Sequence, residues 1–234
     1  MSTELHIGHE HADVSGGWLR AAVFGAMDGL VTNIALIAGV GGGGVAPHQI
    51  ILTGVAGLVA GAISMALGEY TSVHAANEQL AAEIAKERRE LVRNPVAEAN
   101  ELAQMWISRG LPADLAHQVA NALRENPEEA LRIHVREELG VDPDSKPSPW
   151  VAAISSFVCF SIGALIPLIS YLLGNDSLAL ALGVGGIGLF VAGALTSRFT
   201  GRFWLFGGLR QLALGAVAAA ATYAIGALIG VTTA

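Results

Sequence analysis

The chain has 234 residues, of which 53% are hydrophobic and only 14% are charged, and its formal net charge is −7. Soluble domains typically carry about 25% charged residues, so this composition excludes an ordinary soluble enzyme. The net negative charge also argues against nucleic acid as a partner, because nucleic acid binds basic surfaces.

The charges are concentrated in the middle of the chain. Residues 74–148 hold 14 of the 20 acidic residues and 9 of the 13 basic residues. Long apolar stretches lie on either side, and between residues 21 and 73 only Asp28 and Glu69 are charged. Because a membrane-spanning helix needs about 20 mostly apolar residues, the sequence predicts an integral membrane protein surrounded by lipid.

In chain order, the sequence predicts a histidine-rich cytoplasmic tail over residues 1–16, two spans within 17–73, an insert over 74–148 and three spans within 149–234. The second span has no stop signal, and helix-forming residues continue to Arg93, where Asn94-Pro95 ends the pattern. The predicted spans cover residues 17–41, 49–73, 150–173, 177–197 and 208–231.

The insert is predicted to be a small helical domain. It combines the extension of the second helix with three short helices, which are separated by turns at residues 110–112 and 126–127. Pro127 is typical of a helix start, and Gly140 is typical of a C-terminal cap. The predicted fold class is therefore all-α, a polytopic membrane protein with five transmembrane helices and a cytoplasmic helical domain.

Basic residues predict the orientation of the chain. The insert holds nine Lys and Arg residues, Arg20 lies at the start of the first span, and Arg198, Arg202 and Arg210 surround the turn between the last two spans. Cytoplasmic loops carry the excess of basic residues. We therefore expect the N-terminus and the insert to be cytoplasmic, at the plasma membrane of a bacterium or a vacuole-like membrane of a eukaryote.

Two acidic side chains fall within the predicted spans. An ionisable group in the body of a span, such as Asp28, costs at least about 2.5 kcal/mol and is a functional candidate by default. Thr32 shares the helix face of Asp28, and Met65 and Glu69 share a face of the second span. These carboxylate, hydroxyl and thioether groups suit a divalent transition metal better than calcium or magnesium. A polar contact at a helix or dimer interface is the alternative.

Further candidate metal ligands recur on single helix faces of the insert. In chain order they are Glu83, Glu87 and Glu90 on the first helix, Glu98 and Glu101 on the next, and His134 and Glu138 on the last. A salt-bridged solvent face is the alternative, and it predicts a base four residues after each glutamate. Those positions hold no base, although Lys86 and Arg93 follow a glutamate by three residues, so both interpretations stay open.

Two enzymatic interpretations are disfavoured. Di-iron bundles use Glu-x-x-His pairs, and no glutamate in this chain precedes a histidine by three residues. Gly183, Gly185 and Gly188 fit a dinucleotide-binding pattern, but they lie in an apolar span, where close helix packing is the better explanation. We therefore expect no enzymatic activity and no permanently bound cofactor.

The chain resembles the vacuolar iron transporter family in three segments, namely residues 28–39, residues 61–70 and the glutamate-rich insert. The resemblance implies a five-span homodimer that moves Fe²⁺, often Mn²⁺, out of the cytosol in exchange for protons, along a path between the first two spans of each copy. Position by position, Asp28 and Met65 match the family's membrane ligands. The residues that match its cytoplasmic metal-binding glutamates are Glu87, Glu90, Glu98, Glu101 and Glu138.

This chain also departs from the family pattern. Plant members have a methionine pair where this chain has His134 and Val135, so the insert is expected to lose thioether ligands and to gain an imidazole. Plant members also have an acid in the second span where this chain has Gly57, and Glu69 is a candidate replacement for it as carrier of a proton or metal ion.

The sequence therefore predicts a proton-coupled exporter of Fe²⁺ and Mn²⁺, with Zn²⁺ as a further candidate ion. The alternative is a membrane-anchored iron buffer or sensor whose spans only hold the insert at the membrane.

Overall fold

The structure, a computed structural model, describes residues 17–233, so the predicted histidine-rich tail lies outside the described residues. Within residues 17–233 the protein is all-helical, with eight helices and no strand. The helices are α1 (Gly17–Gly42), α2 (Pro47–Arg93), α3 (Pro95–Ser108), α4 (Ala113–Leu123), α5 (Pro127–Leu139), α6 (Pro149–Leu172), α7 (Leu178–Phe199) and α8 (Trp204–Thr233).

Five of these helices are long and apolar enough to cross a membrane, namely α1, α2, α6, α7 and α8. This confirms the predicted number of spans. The last span begins at Trp204, four residues before the predicted start at residue 208. Trp204, Leu205 and Phe206, which lie outside the predicted span, therefore belong to the first turn of the helix.

The described chain forms two compact units. The membrane unit comprises the described residues up to Thr71 and from Pro149 onward, and the insert unit comprises Ser72–Ser148. The long helix α2 belongs to both, and it ends at Arg93 immediately before Asn94-Pro95, as the sequence predicts.

Glycine residues allow α1 and α6 to pack closely in the membrane unit. A Cβ atom on Gly29 would lie 2.2 Å from the carbonyl oxygen of Phe160, and one on Gly163 would lie 2.2 Å from the carbonyl oxygen of Ala26. At the same crossing, the buried Asn33 amide donates a hydrogen bond of 2.5 Å to the carbonyl oxygen of Ala164. Small residues are typical of helix interfaces in membranes because they let the backbones approach each other.

The glycine pattern in α7 also serves packing. A Cβ atom on Gly185 would contact Ile34 of α1, and one on Gly188 would contact Leu30 of the same helix. Both glycines therefore lie at helix contacts inside the membrane unit, which is the expected role. At Gly183, by contrast, an added Cβ atom would meet nothing within 4 Å.

The insert unit has its own apolar core. Helices α3 and α4 contribute small and aliphatic side chains, which pack against Trp106 and other partly buried residues. The fully buried members of this cluster are Ala99, Leu102, Ala103, Ala116 and Ala120. The insert unit therefore has a scaffold that can hold polar side chains of α2, α3 and α5 in fixed positions.

We predict that Gly163→Ala destabilises the protein by about 1–3 kcal/mol, the usual cost of inserting atoms into a packed interior. The new methyl group would overlap the backbone of α1, which cannot move as a flexible side chain can. Chemical unfolding in detergent would measure the change. Gly183→Ala is the matched control, because its methyl group meets no neighbour; equal stability of the two variants would contradict the packing account.

Candidate metal centre

Helix α5 places His134 inside the insert unit. The helix begins after Asn126, whose side chain accepts a hydrogen bond from a backbone N–H of the first turn, and Pro127 occupies that turn. It ends at Leu139, and Gly140 caps it with a φ of +67°, in the left-handed region that favours glycine. The buried residues between these ends are Ala130, Leu131, His134 and Val135. His134 therefore occupies a core position.

Two acidic residues also occupy inward-facing positions. On α2, Glu87 follows Leu80 and Ile84 at helical spacing, and all three are partly buried. On α3, Glu98 is buried beside Ala99 in the first turn, where the helix dipole favours an acid. These two glutamates are thus not part of a solvated, salt-bridged surface.

Four side chains converge into what we call the insert cluster, defined as Glu87, Glu98, His134 and Glu138. One ligand atom from each lies within 4.8 Å of the others. The Nδ1 atom of His134 lies 3.2 Å from Glu87 Oε1, 3.2 Å from Glu138 Oε1 and 3.9 Å from Glu98 Oε2. The His134 side chain is only 2% exposed, and those of Glu87 and Glu98 are 14% and 11% exposed.

One imidazole nitrogen cannot satisfy three carboxylates. Nδ1 of His134 has at most one proton to donate, so most of the oxygens that face it lack this hydrogen bond. The Oε1 atom of Glu87 is buried without a hydrogen-bond partner of acceptable geometry, even though Nδ1 is 3.2 Å away. Burial of an unpaired carboxylate oxygen is costly. A bound cation would supply the missing partner.

Burial and the surplus negative charge raise the pKa of two members of the cluster. Burial, followed by the charges of Glu138, Glu98 and Glu101, raises the pKa of Glu87 to about 7. Burial, followed by the charge of Glu101, also raises the pKa of Glu98, while His134 acts in the opposite direction. A divalent cation would favour the ionised forms, so it would bind as these groups release protons.

Two other predicted ligands lie near the insert cluster without belonging to it. Glu101 is exposed, yet its charge acts on both Glu87 and Glu98. Glu90 acts on Glu98 in the same way and accepts a hydrogen bond of 2.9 Å from the Asn94 side chain. Both can therefore attract a cation toward the cluster.

Glu83 is the predicted ligand that most resembles an ordinary surface residue. Its side chain is 47% exposed and lies 3.9 Å from the Lys86 ammonium group, as the salt-bridge alternative expects. It also lines a small cavity of about 50 Å³ together with Glu87 and Glu138, so it lies at the edge of the cluster.

The ligand types indicate which ions the insert cluster suits. Three carboxylates and one imidazole offer a mixed oxygen and nitrogen set, which Fe²⁺, Mn²⁺ and Zn²⁺ accept. Calcium and magnesium prefer oxygen ligands alone. A divalent transition metal would also offset the negative charge that one imidazole leaves unbalanced.

The predicted membrane ligands lie on two helices of the membrane unit. Asp28 is partly buried within α1, and its Oδ1 atom accepts a hydrogen bond of 3.4 Å from the hydroxyl of Thr32. The two residues thus share a helix face, as their spacing predicts. Met65 is partly buried on α2 and packs against a cluster that includes Phe160 of α6.

Glu69 has a partner that the sequence analysis missed. Its carboxylate is buried, and Oε2 accepts a hydrogen bond of 2.9 Å from Nη2 of Arg20 on α1. A signal was present, because Arg20 is the only Lys or Arg before residue 86 and a buried acid needs a cation nearby. For Glu69 to carry a proton or metal ion, this ion pair would have to open.

Five potential membrane-spanning helices and a buried cluster of metal-ligand side chains define an all-helical integral membrane protein with a candidate metal-binding insert. Residues 19–227 match the model of the VIT family, and the chain belongs to this family. Members of the family are transporters and not enzymes, which agrees with the expectation that this protein has no enzymatic activity.

Similar proteins support this assignment over nearly the whole chain. It is 36% identical over 231 residues to the vacuolar iron transporter of Acanthamoeba castellanii, with 94% of this chain and 83% of that protein covered. It is 32% identical over 221 residues to vacuolar iron transporter 1 of Arabidopsis thaliana, with 92% and 87% covered. The vacuolar iron transporter of Plasmodium berghei is 29% identical over 232 residues, with 94% and 85% covered.

We predict that Glu87→Gln weakens metal binding by the insert by at least about tenfold, the lower end of what loss of a second-shell group costs. The substitution keeps the side-chain shape but removes the buried anionic oxygen that faces His134. Titration of the full-length protein in detergent with Mn²⁺ or Zn²⁺ would measure the change. Glu78→Gln, at an exposed position of the same helix outside the cluster, is the control and should bind normally. An equal loss of metal affinity in both variants would contradict a metal site at the insert cluster.

A second prediction concerns the metal-free protein and pH. Because the pKa of Glu87 is about 7 when folded and 4.5 in the absence of the fold, the folded state holds this proton more tightly. Its stabilising contribution is fully present below pH 4.5 and is lost as the pH rises through 7. Hydrogen exchange of α5, corrected for intrinsic rates, should show greater protection at pH 5.5 than at pH 8. The difference should shrink in Glu87→Gln; an unchanged difference would contradict the assignment.

Proposed function

We propose that this protein transports Fe²⁺, and also Mn²⁺, out of the cytosol in exchange for protons. Its membership of a family of transporters supports metal-ion transport. The single observation that carries the choice of cargo is the insert cluster, where three carboxylates surround one buried imidazole. Iron is the first choice because the similar proteins are named vacuolar iron transporters.

The insert unit collects the ion on the cytoplasmic side. We assign the insert unit to the cytoplasmic side because it holds nine basic residues and basic loops are retained in the cytoplasm. The insert cluster supplies the ligands, and Glu90 and Glu101 add negative charge that draws cations toward it. A site with surplus negative charge captures a divalent ion efficiently because attraction acts before contact.

Asp28 and Met65 hold the ion within the membrane. A carboxylate in the body of a span is costly unless it has a functional partner, and the described partner of Asp28 is only the Thr32 hydroxyl. A metal ion would provide the missing positive charge, and the soft sulfur of Met65 would favour a transition metal over calcium or magnesium. The same carboxylate can hold a proton when the metal leaves, which links the two fluxes.

The transporter acts as a homodimer. Asp28 is only partly buried in one chain, and Phe24, one turn earlier on the same face of α1, is 55% exposed. The fully buried positions of α1 that face α6, such as Gly29 and Asn33, lie on another side of the helix. A second copy that covers the Asp28 face would shield this carboxylate from lipid hydrocarbon.

A membrane-anchored iron buffer or sensor is the second candidate function. One observation favours it, because the insert cluster is complete within a unit that has its own apolar core. Such a protein would bind metal without moving it and would have no use for Asp28. Transport measurements on an Asp28 variant therefore separate the two functions.

We predict that Asp28→Asn abolishes metal flux and leaves metal binding by the insert unchanged. The amide keeps the size of the side chain but can neither neutralise a divalent ion nor exchange a proton. Flux of Fe²⁺, Mn²⁺ and Zn²⁺ into proteoliposomes with an imposed pH gradient would test this, with binding measured in parallel. Asp176→Asn, in the exposed loop between α6 and α7, removes the same charge and serves as the control.

The outcomes separate the proposals. Flux that follows the pH gradient and disappears only in Asp28→Asn supports a proton-coupled transporter with Asp28 on its path. Binding without flux in the unsubstituted protein would favour the buffer or sensor. Normal flux in Asp28→Asn would show that the ion takes another route.

A further inference from the structure

The turn between α7 and α8 brings three arginines to one end of the membrane unit. Helix α7 ends at Phe199, and Gly201 beyond it lies in the left-handed region at φ +66°. The backbone N–H of Arg202 donates to the carbonyl oxygen of Ser197 at 3.0 Å. A Cβ atom on Gly193 would lie 2.4 Å from the carbonyl oxygen of Gly207, so the two helices pack closely beside the turn. The turn is therefore short and well defined.

We call this segment the arginine turn, defined as residues 198–210. Its cationic residues are Arg198, Arg202 and Arg210, and all three are exposed. Among residues 17–233, none of their guanidinium groups has an ion-pair or hydrogen-bond partner. Residues 177–234 contain no acidic side chain. The arginine turn thus has a local charge of +3 that its own segment does not balance.

The described acids of the membrane unit cannot balance this charge. Asp28 lies within α1 beside Thr32, and Glu69 is paired with Arg20. Asp176 precedes the opposite end of α7, whose 22 residues separate it from the arginine turn by roughly 33 Å. Among the described residues of the membrane unit, the arginine turn therefore has no acidic counter-charge.

The position of Arg210 indicates that the arginine turn lies at the membrane interface. Arg210 lies six residues into α8, about 9 Å along the axis from Trp204. It shares a helix face with Phe206, four residues earlier, and Phe203 lies immediately before the helix; both are exposed. Trp204, the first residue of α8, is also exposed, and tryptophan is enriched at the membrane interface because its ring has an apolar body and a polar N–H. From this depth, an arginine extends its guanidinium toward the lipid head groups.

We propose that the arginine turn binds the phosphate-bearing head group of an anionic phospholipid. Guanidinium groups bind phosphate oxygens through paired, charge-assisted hydrogen bonds. The acyl chains of the lipid would lie along the exposed face of Phe203 and Phe206. The preference for basic residues on the cytoplasmic side accounts for where the arginines lie, but not for their lack of an acidic partner or for the depth of Arg210.

Native mass spectrometry of the full-length protein in neutral detergent tests this proposal, with added phosphatidylglycerol or phosphatidylcholine and no metal. We expect the unsubstituted protein to bind phosphatidylglycerol in preference. Substitution of all three arginines by glutamine should weaken this binding about 100-fold, from about fivefold for each arginine near a lipid surface. The matched control is the triple variant Arg89→Gln, Arg93→Gln and Arg124→Gln in the insert unit, which removes the same charge.

Single substitutions at Arg210 keep the proposal testable if the triple variant does not fold. Arg210→Lys should retain more phosphatidylglycerol than Arg210→Gln, because the lysine keeps the charge. Equal binding of the two lipids, or undiminished binding by the triple variant, would overturn the proposal. Dissociation of a dimer with unchanged lipid binding per chain would assign the arginines to a contact between copies and would also overturn it. Because no metal is present, these results are independent of the transport proposal.

Discussion

Burial of carboxylates without an equal number of cations is the constraint on which this structure depends. Burying a charge costs free energy unless a partner of opposite charge is close. Glu69 meets this condition through Arg20. The insert cluster does not, since three carboxylates face one imidazole, and neither does Asp28, whose recorded partner is a hydroxyl. The two places where negative charge is left unbalanced are the two places proposed to bind a cation.

Each unit holds its acids in place by a different kind of packing. In the membrane unit, glycines such as Gly29 and Gly163 bring helix backbones into contact, so α1 is fixed against α6 while Asp28 lies on another side. In the insert unit, an apolar core fixes α3 and α4, and helix α5 places His134 at a buried position. Rigid scaffolds matter for ion sites because ligand geometry then does not depend on the ion.

Much of this organisation follows from the sequence. Hydropathy and helix-ending residues predict the five spans and the end of α2 at Arg93, because both depend on local composition. Glutamate spacing identifies candidate ligands, but it cannot separate Glu87, which is mostly buried, from Glu83, which is exposed four residues earlier. The pairing of Glu69 with Arg20 joins residues 49 positions apart. Such distinctions depend on which helix faces meet in the folded chain. Local sequence patterns do not show which faces these are.

Charge balance also explains why a dimer suits the membrane site. A single Asp28 carries one negative charge and cannot neutralise a divalent ion away from water. In the dimer we propose, two Asp28 carboxylates would face each other across the symmetry axis and match the charge of one divalent cation. Two protons would restore the same balance after the metal leaves. Exchange of one metal ion for protons would therefore keep the low-dielectric part of the path close to neutral throughout the cycle, which lowers the electrostatic cost of each step.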